Sequence, residues 1–506
     1  VYKRQDNLMR EKMISSAIPS LSNATLPKLP SDVKIPNYDR SKLTAGIVHI
    51  GLGNFHRAHQ SWYLHRLMQK GQALDWAIIG AGVKEFDKAQ RQKLLAQDFL
   101  TTLVELSPDS RSVEVVGSMI DYVPIEADNG ALIAQMAKPE IKIVTLTVTE
   151  GGYYIDPVSK RFDTSHPDIA YDANHPEAPK TAFGAMVAAL RLRRESGVGP
   201  FTCQSCDNLQ GNGETLRQVI VTLAKLSDPK LSKWIEANCS FPNSMVDCIV
   251  PATTAKELAL VHDLGISDAV PVTHEDFRQW VIEDDFCAGR PDWDKAGATF
   301  TDDVHNFEMM KIRILNGGHQ VVAVPGEVLS IETIEQCMKH QLLGTLFQKV
   351  ILSEVAPHVK AVTSITPENY VDLVRKRFSN PKIIDTTRRV AYDGSSRQTG
   401  FLLPSIRDGL ASGTPIDGLA LIQASWARMC EGTREDGTLI QPNDPFWDEL
   451  QANAKAARSN PNVWLEMRQI YGNLAREPQF ANSFKTWLGI IWDQGLDKAI
   501  EIYLEF

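Results

Sequence analysis

The run Gly46-Ile47-Val48-His49-Ile50-Gly51-Leu52-Gly53-Asn54-Phe55-His56 decides how the first half of the chain is read. It begins as a short β-favouring stretch and ends in glycines, and the following Ala58 to Lys70 carries apolar side chains at helical spacing. Strand, tight turn and helix in that order open a dinucleotide-binding domain. Gly51 and Gly53 supply two glycines of the G-x-G-x-x-G fingerprint, which permit a tight turn and a close backbone approach to a pyrophosphate at a helix N-terminus. His56 stands at the third glycine position. Two glycines one residue apart also occur in ordinary turns, so the reading draws its weight from their place after a strand.

Working outward, Trp76 to Gly80 predicts a second strand, followed by a polar, helical stretch from Lys84 to Gln97. An acid after that strand holds ribose hydroxyls and repels a 2′-phosphate, which nominates Glu85, with Asp87 in reserve, although Lys84 beside them would attract such a phosphate. Ile141 to Thr149 is β-branched or aliphatic almost throughout, the strongest strand signal in the chain. A helix is expected over Thr181 to Glu195, with the basic Arg191, Arg193 and Arg194 at its solvated end. Phe201 to Asn208 reads as a strand running into a polar turn, and Ile249 to Pro251 and Trp280 to Glu283 as later strands. Alternating strands and helices imply an α/β class, with a mostly parallel, helix-covered sheet of Rossmann type.

Beyond Thr301 the texture changes to long helix-favouring segments, Val304 to Ala323, Ile331 to Val355 and Pro445 to Phe506, so a mostly α-helical C-terminal domain is expected. The boundaries that follow are 1–43 for an extended N-terminal arm, 44–300 for the dinucleotide-binding domain and 301–506 for the helical domain. Val1-Tyr2-Lys3-Arg4-Gln5 resembles a translated sequencing adapter, so residues 1–12 are set aside as non-native and Met13 is the candidate start. At 506 residues, two or more cores are expected.

A net charge of −9 and the lack of a clustered basic, aromatic surface argue against a nucleic-acid partner. No apolar run reaches the roughly 18 residues of a membrane span, and no secretory core is visible. Seven scattered cysteines fit reduced thiols, so a cytoplasmic setting is expected. Cys203-x-x-Cys206 lacks a second pair or a partnered histidine set, and His56, His59 and His65 lack ligand spacing, so no metal is expected.

Chemistry points to the stretch Val304 to Ala323. With Lys311 at zero and about 100° per residue, Glu308 falls near 60°, His319 near 80° and Asn316 near 140° on one helical face. Leu315, Ile312 and Val322 share that face, marking it as buried. The pair Gly317-Gly318 costs about 1 kcal/mol per residue inside a helix, which implies a close approach to the backbone. A desolvated lysine loses basicity and becomes a usable general base near neutral pH, and alcohol oxidation by hydride transfer needs such a base. Periodicity alone also accommodates a few satisfied polar groups at a domain interface.

Four blocks carry a family likeness: Gly51 to His59, Thr147 to Tyr153, Cys206-Asp207-Asn208-Leu209, and Lys311-x4-Asn316-x2-His319. On these the chain resembles the polyol-specific long-chain dehydrogenases and reductases. The resemblance implies a metal-free, two-domain enzyme that acts as a monomer on a small polyol or ketose. NAD would lie in the first domain and the substrate in the cleft between the two. It implies oxidation of D-mannitol to D-fructose, with arabinitol, sorbitol or a uronate such as fructuronate as alternative substrates, and a non-catalytic dinucleotide sensor as the rival of another class. Residue by residue, it implies Lys311 as base, Asn208 and Asn316 holding the substrate oxygen, His319 orienting a neighbouring hydroxyl, and Glu308 linking the base to solvent. Asp247, Arg389 and Arg397 would bind substrate, while Gly51, Leu52, Gly53, Asn54, Phe55, Glu85, Thr149 and Glu150 would line the cofactor. Arg397 stands where a lysine is expected in many relatives, and its planar fork makes different hydroxyl contacts.

Overall fold

The computed structural model describes residues 18–156 and 161–505; the segment set aside at 1–12 and Met13 lie outside them. Within these, the strands are β1 Ala45–Ile50, β2 Ala77–Ala81, β3 Thr101–Leu106, β4 Arg111–Val116, β5 Met119–Tyr122, β6 Ile143–Leu146, β7 Thr202–Ser205, β8 Ser244–Asp247, β9 Val272–Glu275, β10 Gln279–Ile282 and β11 Thr299–Phe300. Five form an all-parallel sheet in the order β5-β2-β1-β6-β7. Strand order reverses direction beside β1, so the crevice between the carboxyl ends of β1 and β6 is where ligands bind in open α/β sheets.

The central strands β1, β2 and β6 are buried on both faces, and their side chains are apolar at nearly every position rather than at alternate ones. Val48, Ile79 and Val144 enter one core with Phe183, Met186 and Ile220. Their neighbours Ile47, Ile78 and Ile143 enter the opposite core with Leu64, Leu67 and Trp280. Two three-stranded sheets, β11-β10-β8 and β4-β3-β9, complete this α/β part.

Several expectations need correction. Ile249 to Pro251 forms no strand; the strand is β8, whose Met245 and Val246 pair antiparallel with β10, while Pro251 cannot donate to a ladder. The β6 strand stops at Leu146, short of Thr149, because the N–H groups of Val148 and Thr149 bond to Asp207 rather than to a neighbouring strand. The helix Ala182–Ser196 begins at an N-cap where Thr181 accepts from Gly184, but of the three arginines at its basic end Arg193 is buried rather than solvated. Arg193 is 2% exposed, and its guanidinium donates to the carbonyls of Met136, Lys138, Ile141, Gly199 and Pro200.

The chain divides into two compact units, one ending at Val304 and the other running from His305 to Phe506. The second is helical, and its centre is formed by Gly317–Val328 and Asp417–Cys430, both buried along nearly their whole length. The first turn of Asp417–Cys430 has no cap of its own; the buried Glu354 carboxylate accepts from Gly418 and Leu419 N–H and from the Tyr503 hydroxyl, each at 2.8 Å. The expected continuous helix Val304 to Ala323 is instead α-helix to Met310, π-helix over Lys311–Asn316 and α-helix from Gly317. Ile331 to Val355 is likewise broken, into Ile334–Lys339, Gln341–Val350 and a second π segment, Ile351–Val355.

All seven cysteines are free thiols: Cys203, Cys206, Cys248, Cys337 and Cys430 are buried, Cys239 is half-buried and Cys287 is exposed. No described helix is long and apolar enough to cross a membrane.

Candidate active site

The turn after β1 is fixed by chemistry that only glycine permits. Gly51 has φ +93°, and a Cβ there would lie 2.1 Å from the Thr147 carbonyl oxygen, whereas one on Gly53 would meet nothing within 4 Å. The first glycine thus closes the turn onto β6, and the second leaves open backbone where a pyrophosphate can approach. These residues fit a bound dinucleotide. His56, at the third glycine position, stacks on His49 with ring centroids 3.4 Å apart, and His49 bonds in turn to the hydroxyls of Thr145 and Thr147. Helix and strand therefore pack through two flat rings where a glycine would allow bare backbone contact. Burial pushes the His49 imidazole down to about 3 and holds His56 well below its ordinary value, so both favour the neutral ring.

The buried Arg57 pins the turn by donating to the Gly53 carbonyl at 3.3 Å and to the Asn54 side chain at 2.6 Å. The Asn54 amide donates to the Pro251 carbonyl and the Thr253 hydroxyl, so this side chain is occupied by the fold. Leu52 is buried, and the Phe55 ring stacks on His59. After β2, Glu85 is 82% exposed and pairs with Lys88, while Asp87 accepts from the Lys84 N–H and packs over Gly82. Thr149, after β6, holds φ +68° and ψ 162°, a region nearly reserved for glycine that costs on the order of 1–3 kcal/mol. Glu150 begins the short helical turn that follows. Asn208 is exposed just past β7, and Asp247 is buried at the end of β8.

In the helical unit, Lys311 opens the π segment, Asn316 closes it, and His319 follows within the next α-turn. Because i→i+5 bonding widens the turn, the 100° spacing assumed from sequence does not carry across it. Lys311 is 7% exposed and Glu308 is buried, pairing at 3.8 Å with the exposed His305. His319 lies flat on Phe378, centroids 4.0 Å apart. Burial drives its imidazole down to about 3; Asp385 opposes that shift, and Arg389, Arg377 and Arg397 add to it. The close approach expected at Gly317-Gly318 is core packing: a Cβ would meet Leu402 at 3.2 Å and the Phe347 ring at 2.7 Å.

Arg389 is held by Asp385 through two bonds, Nε to Oδ1 at 2.6 Å and Nη2 to Oδ2 at 2.5 Å, and Arg397 donates to the Val390 carbonyl. Both arginines line a cavity of about 660 Å³ together with Thr387, Arg388, Tyr392 and Arg434. Asp385 was not singled out from sequence and carries no helical pairing signal there, because it precedes the N-cap Thr386 of the short helix Thr387–Val390. Asp207 was passed over as well, having no feature beyond its place before Asn208.

The sequence-nominated residues thus fall into two sets, one in each compact unit. Asn208, Asp247 and the cofactor candidates belong to the first; Glu308, Lys311, Asn316, His319, Arg389 and Arg397 belong to the second. The three nearby histidines are engaged separately: His56 on His49, His59 with the Gln279 carbonyl and His65 with the Tyr38 hydroxyl. Among the described residues no group of three or more His, Cys, Asp or Glu could hold a metal ion.

Known proteins with the same organisation bear on this arrangement. Residues 45–295 match the Mannitol dehydrogenase Rossmann domain and residues 303–492 the Mannitol dehydrogenase C-terminal domain. A mannitol 2-dehydrogenase of Cereibacter sphaeroides is 51% identical over 93% of this chain and 98% of its own length. One of Aspergillus clavatus is 37% identical over 94% and 96%. Among solved structures, the Pseudomonas fluorescens mannitol 2-dehydrogenase ternary complex with NAD and D-mannitol superposes with TM-score 0.88 at 38% identity, covering 96% of this chain and all of that one. A D-sorbitol dehydrogenase in substrate-free form gives 0.87 at 35% identity over 95% of this chain and all of that one. With a glycine turn closed onto a parallel sheet in one unit, a buried lysine on a π-helical turn in the other, and both units matched along most of their length, this chain belongs to the mannitol dehydrogenase family.

Proposed function

We propose that this chain is an NAD-dependent mannitol 2-dehydrogenase, interconverting D-mannitol and D-fructose by hydride transfer at C2. The observation that carries the reading is the buried Lys311 at the head of a π-helical turn, with Asn316 at its end and a neutral His319 beyond. The 51% identity to a mannitol 2-dehydrogenase and the likeness to a complex with NAD and D-mannitol support the substrate and cofactor.

Oxidation removes a hydride from C2 and a proton from its hydroxyl. NAD, when bound over Gly51-Leu52-Gly53 with Phe55, Thr149 and Glu150 beside it, supplies the hydride acceptor. Lys311 takes the hydroxyl proton as its free amine. Asn208 and Asn316 are the amides that would donate to that oxygen as charge grows on it. His319, uncharged, exchanges hydrogen bonds with a neighbouring hydroxyl, and Arg389, Arg397 and Asp247 bind the remaining ones. The proton leaves Lys311 through Glu308 to the exposed His305. Glu85 and Asp87 place two negative charges beyond β2, which supports NAD over NADP. Seven cysteines outside any disulfide support a reducing, cytoplasmic setting, and the reading includes action as a monomer without a metal.

The test is oxidation of NADH by the purified chain with D-fructose, D-fructuronate and D-xylulose in parallel, with NADPH as control. A preference for fructose with NADH is expected; a preference for fructuronate moves the enzyme to acid sugars. Because a D-sorbitol dehydrogenase superposes nearly as well, D-mannitol and D-sorbitol are compared in the oxidative direction. Equal rates there would reject mannitol as the preferred polyol.

A further inference from the structure

Asp207 joins two parts of the first unit that the proposed reaction needs together. It is buried at the carboxyl end of β7, immediately before the exposed Asn208. Its carboxylate accepts the N–H of Val148 at 3.0 Å, the N–H of Thr149 at 2.9 Å and the hydroxyl of Tyr153 at 2.8 Å. Tyr153 in turn accepts from Ser205 on β7 at 2.6 Å, and the Asp207 carbonyl accepts from the Asn212 amide at 3.0 Å. All three carboxylate donors lie on the segment after β6, where Thr149 holds φ +68° and ψ 162°. A threonine adopts that backbone only when its surroundings impose it. The N–H bonds at Val148 and Thr149 fix the chain just before the strained rotation, and the Tyr153 hydroxyl ties the chain beyond it to the same carboxylate. An ionised carboxylate suits the task, since it accepts at both oxygens and donates at neither.

Resting on the function proposed above, we infer that Asp207 is a positioning residue. One carboxylate holds Thr149 in its cofactor-side backbone and, through its own peptide, sets the turn that presents Asn208 to the substrate oxygen. Cofactor affinity and the alignment of the reacting oxygen are therefore linked through a residue that touches neither.

The experiment uses the full chain as wild type, Asp207→Asn, Asp207→Asn with Thr149→Gly, and Tyr153→Phe. NADH dissociation is read from tryptophan fluorescence, alongside kcat and KM for D-fructose and thermal unfolding as a check on folding. An asparagine turns one acceptor into a donor facing donors, so Asp207→Asn should weaken NADH binding about tenfold and lower kcat by at least about tenfold. Glycine accepts the backbone of Thr149 freely, so adding Thr149→Gly should return most of the NADH affinity while kcat stays low. A purely structural role would give no such selective rescue. Tyr153→Phe keeps both backbone bonds and should lose about threefold in NADH affinity, which decides the matter if Asp207→Asn does not fold. Wild-type NADH affinity and kcat in Asp207→Asn, or no recovery in the double variant, overturns the assignment. A wild type that binds NADH but reduces no ketose refutes the function instead, and the affinity measurements still decide the role of Asp207.

Discussion

Lys311 has almost no contact with solvent, and Glu308 one turn earlier pairs at 3.8 Å with a histidine that is 65% exposed. Replacing Lys311 with alanine removes the proposed base and leaves the glycine turn untouched. In Lys311→Ala, kcat should fall by about 10²–10⁴ while the NADH dissociation constant stays within about twofold, and unchanged turnover would refute the role. His319 adds a pH signature. Its pKa is lowered from 6.5 to about 3, so the ring is unprotonated throughout pH 5–9 and contributes no limb to the rate profile there. The kcat/KM profile should therefore keep its shape in His319→Asn even as its height drops. A limb near pH 6.5 that vanishes in that variant would show the ring to be solvated.

At the scale of elements, Gly317 and Gly318 look equivalent in sequence but not in space. A Cβ at Gly318 would sit 2.7 Å from the buried Phe347 ring, whereas at Gly317 it would sit 3.2 Å from the end of Leu402. Gly318→Ala should destabilise by about 1–3 kcal/mol in urea unfolding, and Gly317→Ala by less, because helix propensity offsets part of the strain. Equal effects would mean that the ring yields. The sequence made the central parallel strands legible because their side chains are apolar on both faces, as in β1, β2 and β6. It misled where another partner won. The strand signal from Ile141 runs on through Val148 and Thr149, but Asp207 captures their N–H groups, and no local pattern announces a carboxylate some sixty residues away. The π turn at Lys311 was invisible for a related reason: its residues have ordinary helical propensity, and only packing decides where the ladder slips. The spacing Lys311-x4-Asn316-x2-His319 could be read as a motif, while Asp207 and Asp385, which act on neighbours, could not.

Taken as a whole, the molecule hides uncharged histidines in both units. Burial lowers His49, His65, His274 and His319 from 6.5 to about 3, and His56 well below 6.5. Between pH 6.5 and about 3 the unfolded chain therefore binds protons that the folded one refuses, so stability rises with pH across that window and falls on acidification. The melting temperature should drop far more from pH 6.5 to 4.5 than from pH 8 to 6.5. A flat response would place these rings in water.

The distribution of thiols also makes the protein its own clock. Cys287 offers one quick reaction to an aromatic disulfide reagent and Cys239 a slower one, whereas the sealed thiols respond only when their surroundings open. Three of the sealed group, Cys203, Cys206 and Cys248, belong to the sheet-bearing unit, and two, Cys337 and Cys430, to the helical one. The size of each colour burst on heating therefore tells which half of the molecule unravels first, with no label added and no residue changed.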